Sequence, residues 1–177
     1  MKTKSIKKMI KEYFFLYPTV RLRVRQIERD VNVPLPSAIR YTKELEEEAI
    51  LKRSVISGIN FFSADRVSEN YILEKRLYNI KNLFFSGFVR YIINEMNNPT
   101  IVLFGSYSKG EDVEGSDIDI YVESRKGDMK SLKSYEKKLQ RDIQIFFYKN
   151  IHDVKNKDLA NNIINGVTLN GFLEVLR

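Results

Sequence analysis

The sequence predicts an α+β fold in two parts, a helical N-terminal third closed by a β-hairpin and then a small sheet flanked by helices. Three observations predict it. Apolar residues recur at helical spacing up to about residue 48, two strand-like runs at 50–55 and 60–63 follow around a glycine, and β-rich runs at 101–104, 117–122 and 142–148 punctuate the second half.

Taken in order, Ile6, Met9, Ile10, Tyr13, Phe14 and Leu16 form an apolar stripe with lysines opposite, and Pro18 stops that helix. Residues 24–31 make a short second helix. The turn Asn32-Val33-Pro34-Leu35-Pro36-Ser37 leads into a third, about 36–48, expected to turn Ile39, Leu45 and Ala49 inward and Ser37, Arg40, Tyr41 and Lys43 outward. Residues 50–55 and 60–63 read as a hairpin with Gly58 at its tip. Residues 67–96 read as one long helix or two, broken near Ser86-Gly87, with Ile72, Leu73, Leu77, Ile80, Leu83, Phe84, Phe88, Tyr91, Ile92 and Met96 as its apolar stripe.

Asn97-Asn98-Pro99 turns into the strand at 101. A polar loop at 124–130, a basic helix at 131–140, the strand carrying Asp142, a helix at 157–165 and a turn with a closing strand at 166–176 complete the chain. The expected division is 1–65 and 66–177, with 66–97 a helical connection into the sheet and no Gly/Ser linker between the parts. His152 falls in a loop after a strand, where a surface role without chemistry is expected.

Composition narrows the function. Hydrophobic content of 43% with 30% charged residues is that of a globular protein. No apolar run is long enough to span a bilayer, and the basic N-terminus lacks a secretory signal, so no membrane partner and a cytoplasmic location are expected. The absence of cysteine and the single histidine exclude disulfide, thiolate and imidazole-rich zinc chemistry. The net charge of +7 is uneven, with 14 Lys/Arg against 8 Asp/Glu before Val67, which suggests an anionic partner for that part.

The richest stretch is 102–122, VLFGSYSKGEDVEGSDIDIYV. Ile101-Val102-Leu103-Phe104 is an unbroken apolar run, the mark of a strand covered on both faces. Gly105-Ser106 follows where the chain must turn sharply and can bring backbone N–H groups close to a phosphate. Asp117 and Asp119 then alternate with Ile118 and Ile120, so the two carboxylates share one face of a strand. Like charges so placed are costly unless a cation lies between them, which makes them candidate metal ligands.

Gly105-Ser106, ten intervening residues and Asp117-Ile118-Asp119, with Gly110 and Ser116 at fitting positions, resemble the signature of the DNA polymerase beta-like nucleotidyltransferases. The closing pattern of helix, Asn-Gly and apolar strand is similar to the minimal, antitoxin-type members. The resemblance implies a small mixed sheet flanked by helices and transfer of a nucleoside monophosphate from a nucleoside triphosphate, ATP being the expected donor, to a hydroxyl. It implies Asp117, Asp119 and Asp142 as catalytic residues holding two Mg²⁺ ions, Asp142 being the third carboxylate expected on the neighbouring strand. Gly105 and Ser106, with Lys109, Gly110 and Ser116, would bind the nucleotide. Lys109 stands where the family often has arginine. Such minimal proteins are often paired, as antitoxins, with a small helical toxin, and some modify a tyrosine of it with AMP. Two other readings stay open: a regulator whose domain only senses nucleotide, and an antitoxin that blocks its partner by docking.

Three helices followed by a hairpin over residues 4–64 resemble a winged helix-turn-helix. That resemblance implies duplex DNA as partner, with Ser37, Arg40, Tyr41 and Lys43 in the major groove and Lys52 and Arg53 on the backbone. Winged helices also serve as homodimerisation or protein-docking modules, and Glu44, Glu46, Glu47 and Glu48 would repel phosphate if they faced it.

Overall fold

Two units make up the chain, residues 1–78 and 79–177, in a computed structural model that describes residues 5–125 and 129–176. In the first unit, α1 (Ile6–Leu16) starts at Ser5, whose hydroxyl accepts the Lys8 N–H, and stops at Tyr17 before Pro18. A short strand, β1 (Arg21–Leu22), precedes α2 (Val24–Val31), which ends at Asn32 in the left-handed region (φ 56°). Helix α3 (Leu35–Glu47) begins at a Pro34 cap with Pro36 in its first turn, where the missing N–H costs nothing.

Strands β2 (Leu51–Ile56) and β3 (Ile59–Ala64) pair antiparallel to the last residue, Ile56 opposite Ile59. The two loop residues, Ser57 (φ 49°) and Gly58 (φ 75°), are both left-handed, the tight turn whose twist matches the strands. β1 adds to β3, with Arg21 opposite Ser63 and Leu22 opposite Phe62, giving the order β1-β3-β2. Two residues are too few to carry a periodic signal, which is why sequence reasoning missed this strand. Ile10, Phe14, Phe15, Ile27, Ala38, Leu45, Ile50, Leu51 and Phe62 form the core.

The inward face of α3 differs from expectation. Ala38, Thr42 and Leu45 are its buried residues, a line at i, i+4 and i+7. Ile39 lies outside that line and is 44% exposed, and Tyr41, expected outward, is half-buried against the core.

Helix α4 (Glu69–Ser86) runs from the first unit into the second. Tyr71, Ile72 and Tyr78 belong with the first core and Leu83 with the second, so the boundary between the two compact units falls inside this helix. Tyr71, Lys75, Asn79 and Leu83, one per turn, are buried, whereas Leu73, Leu77 and Phe84 of the expected stripe are exposed. Gly87 (φ 84°) breaks the helical path as expected, and α5 (Phe88–Glu95) follows.

The second unit continues with β4 (Ile101–Phe104), α6 (Gly105–Lys109), β5 (Ile118–Glu123), α7 (Leu132–Leu139), β6 (Ile143–Tyr148), α8 (Lys157–Ile164) and β7 (Val167–Asn170). The sheet has the order β6-β5-β4-β7 and is mixed: β5 and β6 run parallel, and β4 is antiparallel to both its neighbours. Ile101, Leu103, Ile118, Ile120, Val122 and Ile143 pack with Leu83, Phe88, Val89, Ile92 and Leu139 on one face. Val102, Phe104 and Tyr121 pack with Ile151, Val154 and Ile163 on the other. All four β4 residues are therefore buried, as the unbroken apolar run required.

Candidate active site

Strand β4 delivers the chain to the site. Phe104 lies opposite Asp119 on β5, and the next residue, Gly105, turns with φ 72° straight into α6. A helix that starts at a strand end has no carbonyl of its own for its first N–H groups, so they face outward from the turn. The Ser108 hydroxyl donates to the Gly105 carbonyl at 2.8 Å, and Gly110 (φ 78°) ends the helix. Ser106 is half-buried beside the turn and Lys109 is exposed.

Gly105 sits directly against Asp119. A Cβ at this position would lie 3.1 Å from Asp119 Cγ and closer still to its Oδ2, so only glycine leaves room for the carboxylate. Burial, and then the charge of Asp117, hold the Asp119 carboxyl above the usual carboxylate range. Among the described residues neither Asp117 nor Asp119 has a cationic side chain within ion-pairing distance. The pair therefore has hard, acceptor-only oxygens and no internal counter-charge, a donor set that fits a divalent cation.

Asp142 precedes β6 as Asp117 precedes β5. Ile118 lies opposite Ile143 in the parallel ladder, and the Ile118 N–H donates to the Asp142 carbonyl at 2.8 Å. Strand alternation from that register puts Asp117, Asp119, Asp142 and Gln144 on one face of the sheet and Ile118, Ile120, Ile143 and Ile145 on the other. The carboxylates do not close on a common point: among the described residues no three His, Cys, Asp or Glu side chains form a metal-holding group. Asp142 is exposed and lines a cleft of ≈ 300 Å³ with Glu114, Glu136, Lys137, Gln140 and Arg141.

Three residues that sequence reasoning passed over hold the connecting loop. Asn79 Nδ2 donates to the Tyr107 carbonyl at 2.9 Å and to Asp112 Oδ1 at 2.7 Å. The other Asp112 oxygen is 3.6 Å from the Arg141 guanidinium, and both residues are buried. This chain ties the end of α6 to the residue beside Asp142. Ser116, expected at the nucleotide, uses its hydroxyl oxygen to accept the Val113 N–H at 2.9 Å and closes the turn that presents Asp117. In the sequence Arg141 merely adjoins Asp142, and nothing local marked Asn79 or Asp112.

In the first unit three of the four basic residues expected at DNA are ion-paired within the fold. Arg40 pairs with Glu44 at 2.8 Å, Arg53 with Glu46 at 3.2 Å and Lys52 with Asp65 at 3.9 Å. Glu44 and Glu48 also hold Lys7, at 3.0 and 2.6 Å. Ser37 is half-buried, like Tyr41, and Lys43 is exposed. The acidic run late in α3 is thus the internal counter-charge of the basic residues around it.

No helix of the described residues is long and apolar enough to cross a membrane. No curated protein matches the chain. Residues 89–165, the segment that begins in α5 and holds the Gly-Ser turn and all three aspartates, match the family model of the nucleotidyltransferase domain.

Proposed function

We propose that the second unit is a magnesium-dependent nucleotidyltransferase, moving a nucleoside monophosphate from a nucleoside triphosphate, ATP foremost, to a hydroxyl acceptor. The observation that carries this reading is the Asp119 carboxylate packed on Gly105, because it joins the phosphate-binding turn to the carboxylate pair inside the matched segment.

Asp117 and Asp119 would hold the cations, with Asp142 reaching from the next strand. Bound there, Mg²⁺ supplies charge neutralisation for the triphosphate and for the attacking oxygen. The chain's own residues do the positioning. Gly105 lets backbone N–H groups approach the β- and γ-phosphates, Ser106 adds a hydroxyl donor and Lys109 an exposed cation. Asp142 would accept the proton of the acceptor hydroxyl as it attacks the α-phosphorus and pyrophosphate leaves. A tyrosine of a small helical partner protein is one such acceptor.

The test is incubation with Mg²⁺ and ATP labelled at either the α- or the γ-phosphorus. Transfer predicts α-label retained on the acceptor, γ-label released with pyrophosphate, and loss of both in Asp117→Asn. ATP binding with no α-label on any acceptor would favour the second reading, a domain that only senses nucleotide.

A further inference from the structure

Four arginines of the first unit lie together with no ion-pairing carboxylate among the described residues. Arg21 on β1, Arg23 at the start of α2, and Arg25 and Arg29 one turn apart on α2 line a basin of ≈ 390 Å³ with Gln26 and Phe61. All four arginines are exposed, and none has a carboxylate within ion-pairing distance among the described residues. This contrasts with Arg40, Lys52 and Arg53, each already paired with an acid.

We infer that this arginine basin is a docking site for the phosphate backbone of duplex DNA. Guanidinium forks match phosphate oxygens, and four within nine residues on adjoining elements can follow successive phosphodiesters. The lining favours a duplex over an unstacked strand. Its only aromatic ring, Phe61, is covered by the Arg23 guanidinium at 5.1 Å, so the face that would stack a base is taken. The Gln26 amide oxygen accepts the Arg23 backbone N–H at 2.9 Å, so the acceptor of the one amide in the lining is already engaged. The lining is therefore dominated by guanidinium donors suited to the backbone phosphates. The site is independent of the transfer chemistry of the second unit.

The experiment is fluorescence anisotropy of the full chain with a labelled random-sequence duplex of about two helical turns and with a single strand of equal length, across a salt series. Arg21→Gln/Arg25→Gln should weaken duplex binding by about tenfold or more and reduce the salt slope by roughly two. Arg40→Gln/Arg53→Gln should stay within about twofold, because those guanidiniums are already neutralised. These substitutions are on exposed side chains, and circular dichroism checks that each variant folds. No duplex binding at low salt, equal binding by the Arg21→Gln/Arg25→Gln variant, a larger loss in the Arg40→Gln/Arg53→Gln variant, or tighter binding of the single strand would each overturn the inference.

Discussion

Replacing Gly105 by alanine tests the joint between turn and carboxylate. At φ 72° an L-residue is strained by about 1–2 kcal/mol, whatever surrounds it. The added Cβ also collides with Asp119, at 3.1 Å from Cγ and nearer to Oδ2, so the carboxylate must swing off the turn. In an Asp119→Ala background only the Asp119 Cβ remains, at 3.4 Å, an ordinary contact, and the collision disappears while the strain persists. Gly105→Ala should therefore destabilise the native chain more than it destabilises Asp119→Ala, by about 1 kcal/mol of coupling. Urea unfolding of the four proteins, followed by circular dichroism, measures the cycle. Equal costs in both backgrounds, within the roughly 0.3–0.5 kcal/mol expected of independent sites, would refute the packing of Asp119 on Gly105.

Three further outcomes follow from the same site. Because the Asp119 carboxyl is raised, the native chain binds that proton more tightly than the unfolded chain, and this contribution, present at acid pH, is lost as pH rises through the raised carboxyl range. Asp117→Asn removes the charge contribution to that shift and should shrink that loss, read from urea midpoints across a pH series that starts below the ordinary carboxylate range. Arg141→Ala removes the cation beside the buried Asp112 carboxylate, which keeps its Asn79 hydrogen bond, and should cost about 3–5 kcal/mol, whereas replacing both residues by apolar ones recovers most of it; equal losses in the single and double variants would contradict the pairing. Lys109→Ala, on an exposed side chain, should weaken ATP binding two- to fivefold in calorimetry, about 0.5–1 kcal/mol, and leave thermal stability unchanged.

What the sequence made legible follows the strength of its local signals. The run 101–104, the glycine turn and the 117–122 alternation each carry their own geometry, so the strand, turn and strand of the site could be placed beforehand. The Ser57-Gly58 turn and the break at Gly87 were equally readable, because the backbone there requires the left-handed region. Long-range pairing was not. Asn79 meets Asp112 and Asp112 meets Arg141 only after the sheet has formed, and no spacing encodes that. The partners of the basic residues of α3 and β2 were hidden for a related reason: charge could be counted, but its pairing with Glu44 and Glu46 is a property of folded side chains. The face of α3 was misjudged because Thr42 is polar yet buried, its hydroxyl donating to the Ala38 carbonyl at 2.8 Å, while apolar Ile39 is left outside.

Helix α4 gives the molecule an unusual seam. The division between the units falls between Tyr78 and Asn79, so a cut there would leave half-helices of ten and eight residues, each below the length at which an isolated helix holds together in water. Each half is anchored by residues of a different core, Tyr71 on one side and Leu83 on the other. Recombination or expression of either unit alone therefore has to carry the whole helix with it. The natural module of this chain is a unit plus α4, and the two modules overlap in sequence instead of meeting end to end.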